Sequence, residues 1–70
     1  MKPDHMVHMA NQIAHFFAAY PHEQAVEGVA DHLKKFWEPR MRKEIEAHVA
    51  KGGAGLDALV VEAVKKLQKH

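Results

Sequence analysis

Apolar residues recur at three- and four-residue spacing from Met6 through Met9, Ile13, Phe16 and Phe17 to Tyr20, the periodicity of one helix face. Val7, Ala10, Ala14 and Ala18 extend apolar character beyond that face, leaving room for more than one neighbour, although alanine favours helix wherever it stands. With Asp4 as N-cap and Pro21 as stop, the first helix is predicted over about 4–20. A second helix is predicted over about 22–37, with Val26, Val29, Ala30, Leu33, Phe36 and Trp37 on one side and Glu23, Glu27, Asp31 and Lys34 broadly on the other. Gly28 lies inside it on the polar side at a cost of about 1 kcal/mol relative to alanine. It reads as tolerated drift, with close approach of another backbone as the alternative.

Pro39 suits the first turn of a third helix, predicted over about 39–51, with Glu38 near its N-cap. Met41, Ile45, His48 and Val49 face inward, and Gly52 supplies a left-handed stop. The following Gly52-Gly53-Ala54-Gly55 reads as a flexible connector, because it lacks the preceding strand and the Lys-Ser/Thr ending of a phosphate cradle. The fourth helix, over about 57–69, has Asp57 as N-cap and Leu56 placed to staple against Val61. Leu59, Val60, Ala63, Val64 and Leu67 line it, and Lys65, Lys66 and Lys69 suit the negative end of its dipole. No strand alternation or internal repeat competes, so the expected fold is all-α, a small bundle of three to four helices in a single domain over 1–70.

Composition narrows the chemistry. A chain of 70 residues buries only roughly 60% of its unfolded surface, which leaves a thin core. Cysteine, serine and threonine are all absent, which removes disulfides, thiolate metal sites and the common covalent nucleophiles and makes independent catalysis unexpected. The formal charge is +1, far from the balance of a dedicated nucleic-acid binder. No continuous apolar run approaches signal-peptide or membrane-spanning length, so the expected location is cytoplasmic, with no membrane association.

Seven histidines raise the question of a metal. His5, His8 and His15 share a broad sector of the first helix, but His8 and His15 stand about 10 Å apart along its axis and no nearby carboxylate completes a site, so no metal is expected. His32 and His48 read as histidines at the edge of the core, and Met6, Met9 and Met41 as core filler.

The run Phe36-Trp37-Glu38-Pro39-Arg40-Met41-Arg42 places the single tryptophan, a proline and two arginines in one helix-to-helix joint. Arg40, Arg42 and Lys43 crowd a helix N-terminus, whose partial positive charge favours acids, and such local violations mark function or strain. Arg40 with Glu44 and Arg42 with Glu46 stand at i,i+4, in the weaker order with the base first. Phe36, Trp37, Pro39, Arg40, Met41 and Arg42 form the expected partner-binding surface; packing of Phe36 and Trp37 inside the bundle, with Arg40 covering them, is the alternative. Arg40, Arg42 and Lys43 form a candidate anion site. A helix-turn-helix reading places the same cations on DNA phosphates, but the near-neutral charge and the absence of Ser, Thr or a basic arm argue against nucleic acid.

The chain also resembles the delta subunit of the soluble NAD-dependent, molybdenum-containing formate dehydrogenase. The residues behind the resemblance are Met9-Ala10-Asn11-Gln12-Ile13, Phe16-Phe17-Ala18-Ala19, Val29-Ala30-Asp31-His32-Leu33, the joint Phe36 to Arg42, and Gly52-Gly53-Ala54-Gly55-Leu56, in order and at similar spacing over nearly the whole chain. The histidine-rich first helix departs from the family pattern. The resemblance implies a non-catalytic accessory subunit of a complex that oxidises formate and reduces NAD, associated with assembly and stability of the large molybdenum subunit. That complex is expected to hold bis-molybdopterin guanine dinucleotide, iron-sulfur clusters and FMN in other subunits, with none bound by this chain. The alternative is a chaperone that binds or helps insert the molybdenum cofactor, using Arg40, Arg42 and Lys43 on its phosphates. Self-association of the isolated chain is a further expectation, given the thin core and the broadly apolar first helix.

Overall fold

In a computed structural model, which describes residues 2–68, the chain forms helices α1 (Pro3–Phe17), α2 (His22–Phe36), α3 (Pro39–Ala50) and α4 (Ala58–Gln68), with no strand among the described residues. The fold is all-α. Lys69, expected in the basic end of the fourth helix, lies outside the described residues.

Each break between helices has a local cause. At the end of α1 the amides of Ala18 and Tyr20 bond to the carbonyls of His15 (3.4 Å) and Phe17 (3.0 Å), three residues back, so the helix tightens and stops short of the expected Tyr20. Pro21 also drives its predecessor out of the helical region. At the other end Lys2, rather than Asp4, is the N-cap; Asp4 sits in the first turn, where the helix dipole favours it. Between α2 and α3, Trp37 and Glu38 are extended, with ψ of 137° and 152°, and Pro39 takes the first position of α3 with Glu38 as N-cap.

The α3–α4 connection is more rigid than its glycines suggest. The Gly53 amide bonds to the His48 carbonyl (2.9 Å) and the Gly52 amide to the Val49 carbonyl (3.0 Å), the paired bonds of a Schellman turn. Gly52 and Gly53 adopt φ of 113° and 65°, a conformation that side chains disfavour. Three side chains then fasten the loop. His48 Nε2 donates to the Ala54 carbonyl (2.8 Å), Asn11 Nδ2 donates to the Gly55 carbonyl (2.9 Å), and Asn11 Oδ1 accepts from the Asp57 amide (2.8 Å). Asp57 Oδ1 in turn accepts from the Leu59 amide (2.9 Å) as the N-cap of α4. The segment read as flexible is therefore clamped between α1 and α3.

Helix α2 makes its most extensive contact with α4 and packs also on α1, while α4 touches α3 and α1. Leu33, Val29, Ile45, Val60 and Val64 are the largest fully buried side chains. On α1 the buried residues are Met6, Ala10 and Ala14; Ile13 and Phe17 are half-buried, and Met9 and Phe16 are exposed, as is Tyr20 just beyond its end. Met9, read as core filler, is exposed, and the buried face of α1 is thus rotated from the face that the spacing marks towards the alanines. Their methyl-sized side chains let the backbone of α1 approach its neighbours, and the bulkier sector is left outside.

Gly28 takes its meaning from the same packing. A Cβ there would lie 2.5 Å from Cδ1 and Cε1 of Phe17, so the missing side chain is the seat of that ring. The residue is not drift, and an aromatic ring rather than a backbone makes the close approach.

Candidate docking surface

The extended residues after α2 separate two neighbouring aromatics. Trp37 turns into the core and is 5% exposed, packed with Leu33, Ile45 and Met6 in one buried cluster, whereas Phe36 is 73% exposed. The two were expected together, either on the partner-binding surface or inside the bundle; they stand on opposite sides of the bundle wall. Met41 and Arg42 are half-buried, and Pro39, Arg40 and Lys43 are exposed.

Arg42 has a structural partner. Its Nη1 donates to the Lys34 carbonyl at 2.6 Å, in the last turn of α2. Carbonyls there have no partner within the helix and carry the negative end of its dipole, so a guanidinium satisfies both the bond and the field. One of the three cations that looked misplaced at the start of α3 is correctly placed for the end of α2.

A groove of about 480 Å³ runs between α1 and α2 beside this joint. Met9, Ile13, Phe16 and Phe17 form one wall and His32 and Trp37 the other, and Gln12, His32 and Trp37 are the lining residues with polar side-chain atoms. No carboxylate, lysine or arginine lines it. The aromatic rings are organised: Phe16 meets Phe17 edge-on at 5.0 Å, Phe17 lies 5.9 Å from Tyr20, and Phe36 leans on the His32 ring at 4.9 Å. Met9, Phe16, Tyr20 and Phe36 are the exposed large apolar residues among those described, and each either lines the groove or rests against a residue that does. Exposed apolar residues gathered in this way make the groove a candidate interaction site.

The family model of the NADH-dependent formate dehydrogenase delta subunit FdsD matches residues 5–64. The chain belongs to that family. No match is found among curated proteins or among solved structures. The matched span of this delta-subunit chain contains the groove, the joint and the clamped glycine loop. Other subunits of a formate dehydrogenase are accordingly its partners.

Polar side-chain contacts tie the rest of the surface together. His22 and Glu62 (2.7 Å) and Lys66 and Glu27 (3.0 Å) tie α2 to α4, while Lys35 and Asp31 pair within α2 (3.2 Å). His5, His8 and His15 are exposed, and no group of three or more His, Asp or Glu side chains among the described residues is placed to hold a metal ion. No helix among them is long and apolar enough to cross a membrane. Phe16 is not legible as a surface residue because its spacing is that of the apolar face of α1, and nothing in the periodicity singles out Gln12. The signal available was the absence of Asp, Glu, Lys and Arg from His5 to Tyr20.

Proposed function

We propose that this delta-subunit chain is a non-catalytic accessory subunit of a cytoplasmic NAD-dependent formate dehydrogenase, and that it supports assembly or stability of the molybdenum-containing catalytic subunit through its α1–α2 face. The observation that carries the reading is the clustering of exposed Phe16 and Phe36 around an apolar groove, on a chain whose family is that of a subunit. An apolar, aromatic patch without charged side chains has the composition of an interface core.

The cofactors expected of the complex do not fit the groove. Iron-sulfur clusters are held by cysteine thiolates, which the sequence lacks, and the groove offers no cation to the phosphates of a pterin nucleotide or of FMN. The engagement of Arg42 with Lys34 also weakens the reading of Arg40, Arg42 and Lys43 as a cofactor-handling anion site, and the DNA-binding reading with it.

The test is to express the formate dehydrogenase with and without this chain, measuring subunit co-purification, molybdenum content and NAD-dependent formate oxidation. Loss of assembled catalytic subunit without the chain supports the proposal. A fully loaded, equally active and equally stable enzyme in its absence sinks it.

A further inference from the structure

We propose that the α1–α2 groove receives a helix of a companion subunit, about two turns long, presenting apolar side chains at i, i+3 or i+4, and i+7, with no basic residue on the inserted face. This rests on the accessory-subunit reading and names the partner element that reading leaves open.

Three features of the groove select this occupant. Its α1 wall is built from Met9, Ile13 and Phe16, spaced i, i+4 and i+7, a span of about 10 Å along a helix axis. A helix laid alongside matches that repeat turn for turn, as in helix-in-groove recognition. The described residues contain no strand whose edge an extended segment would join.

The second feature is charge. From His5 to Tyr20 the chain has no Asp, Glu, Lys or Arg, although charged residues make up 27% of the whole. A solvated helix face is normally where such residues collect, so their absence beside an open groove fits a surface covered by another chain. Nothing lining the groove would neutralise a lysine or arginine entering it, and burying an unpaired cation is costly. The third feature is the set of polar groups on the lining, the Gln12 amide, the His32 ring and the Trp37 indole N–H. They can hydrogen-bond to polar side chains at the edge of the incoming helix, fixing its register while Phe16 and Phe36 supply the contact area.

The experiment uses the assembled complex, with Phe16 or Phe36 replaced one at a time by the photoreactive benzoylphenylalanine and the cross-linked peptides identified by mass spectrometry. Both positions are expected to cross-link to one helical segment of a companion subunit with the stated apolar spacing. Phe16→Glu and Phe36→Glu are each expected to weaken association at least tenfold, on the order of a hot-spot loss. Because both side chains are exposed and lose only a ring contact each, circular dichroism should stay unchanged and the thermal midpoint should fall by no more than a few degrees. Cross-links to a second copy of the chain, to a non-helical segment or to no subunit overturn the inference while leaving the accessory-subunit reading intact. Undiminished association of both glutamate variants does the same. Failure of the unmodified chain to co-purify with any subunit removes the accessory-subunit reading itself.

Discussion

The ring of Phe17 occupies the space that a side chain on Gly28 would fill, its Cδ1 and Cε1 only 2.5 Å from where that Cβ would lie. The contact joins α1 to α2 at the end of the groove, and it reverses the usual rule for glycine in a helix. Gly28→Ala gains about 1 kcal/mol of helix propensity, yet it must displace an aromatic ring held between Phe16 and Tyr20. Overpacking of this kind costs about 1–3 kcal/mol. We expect a net loss of stability, read as a thermal midpoint several degrees lower. In a Phe17→Ala background the same substitution should become neutral or stabilising, and a double-mutant cycle by thermal denaturation measures the difference.

Arg42 and its neighbouring cations should separate cleanly. Arg42→Ala removes the bond to the Lys34 carbonyl and should destabilise by about 1 kcal/mol, whereas Arg40→Ala and Lys43→Ala should stay within about 0.5 kcal/mol of the parent. Urea titrations of the three variants decide it. Equal effects at all three positions would mean that the tie to α2 contributes nothing special.

Trp37 is a core residue and a probe of folding. Trp37→Ala should cost about 3–5 kcal/mol, enough to unfold a marginal domain of this size. Loss of partner binding by that variant therefore reports unfolding. As the single tryptophan, Trp37 should emit at short wavelength in the folded chain and shift to the red in denaturant, in step with the loss of helical circular dichroism.

Asn11 should govern the glycine loop from a distance of more than forty residues in sequence. Asn11→Ala leaves the Gly55 carbonyl and the Asp57 amide without that partner, at a cost of about 1–2 kcal/mol. The local signature is faster hydrogen exchange at the Asp57 amide, while amides in the middle of α2 slow or speed only with global stability.

The sequence announces its helices through their interruptions. Pro21, Pro39 and the Gly52-Gly53 pair end or begin elements for backbone reasons that need no tertiary context, and Asp57 caps α4 by local geometry. The facing of α1 is harder to read, because apolar residues surround much of that helix and periodicity weights Phe16 above Ala14. What decides the rotation is how closely two backbones approach, a property of pairs of helices. The same limit hides the role of Arg42, whose partner Lys34 lies across a helix break, and the division between Phe36 and Trp37, adjacent residues sent apart by extended backbone. The candidate site was legible as a region around the joint, without the contribution of α1.

The burial of Ala10 and Ala14 has a consequence for recognition. With the methyl groups of Ala10 and Ala14 seated in the core beside Met6, α1 packs closely on its neighbours, and rolling or sliding it would open voids there. Phe16 is already steadied by Phe17, and Phe36 by His32. For the proposed docking this means that side chains already steadied within the fold have less ordering left to undergo at the encounter.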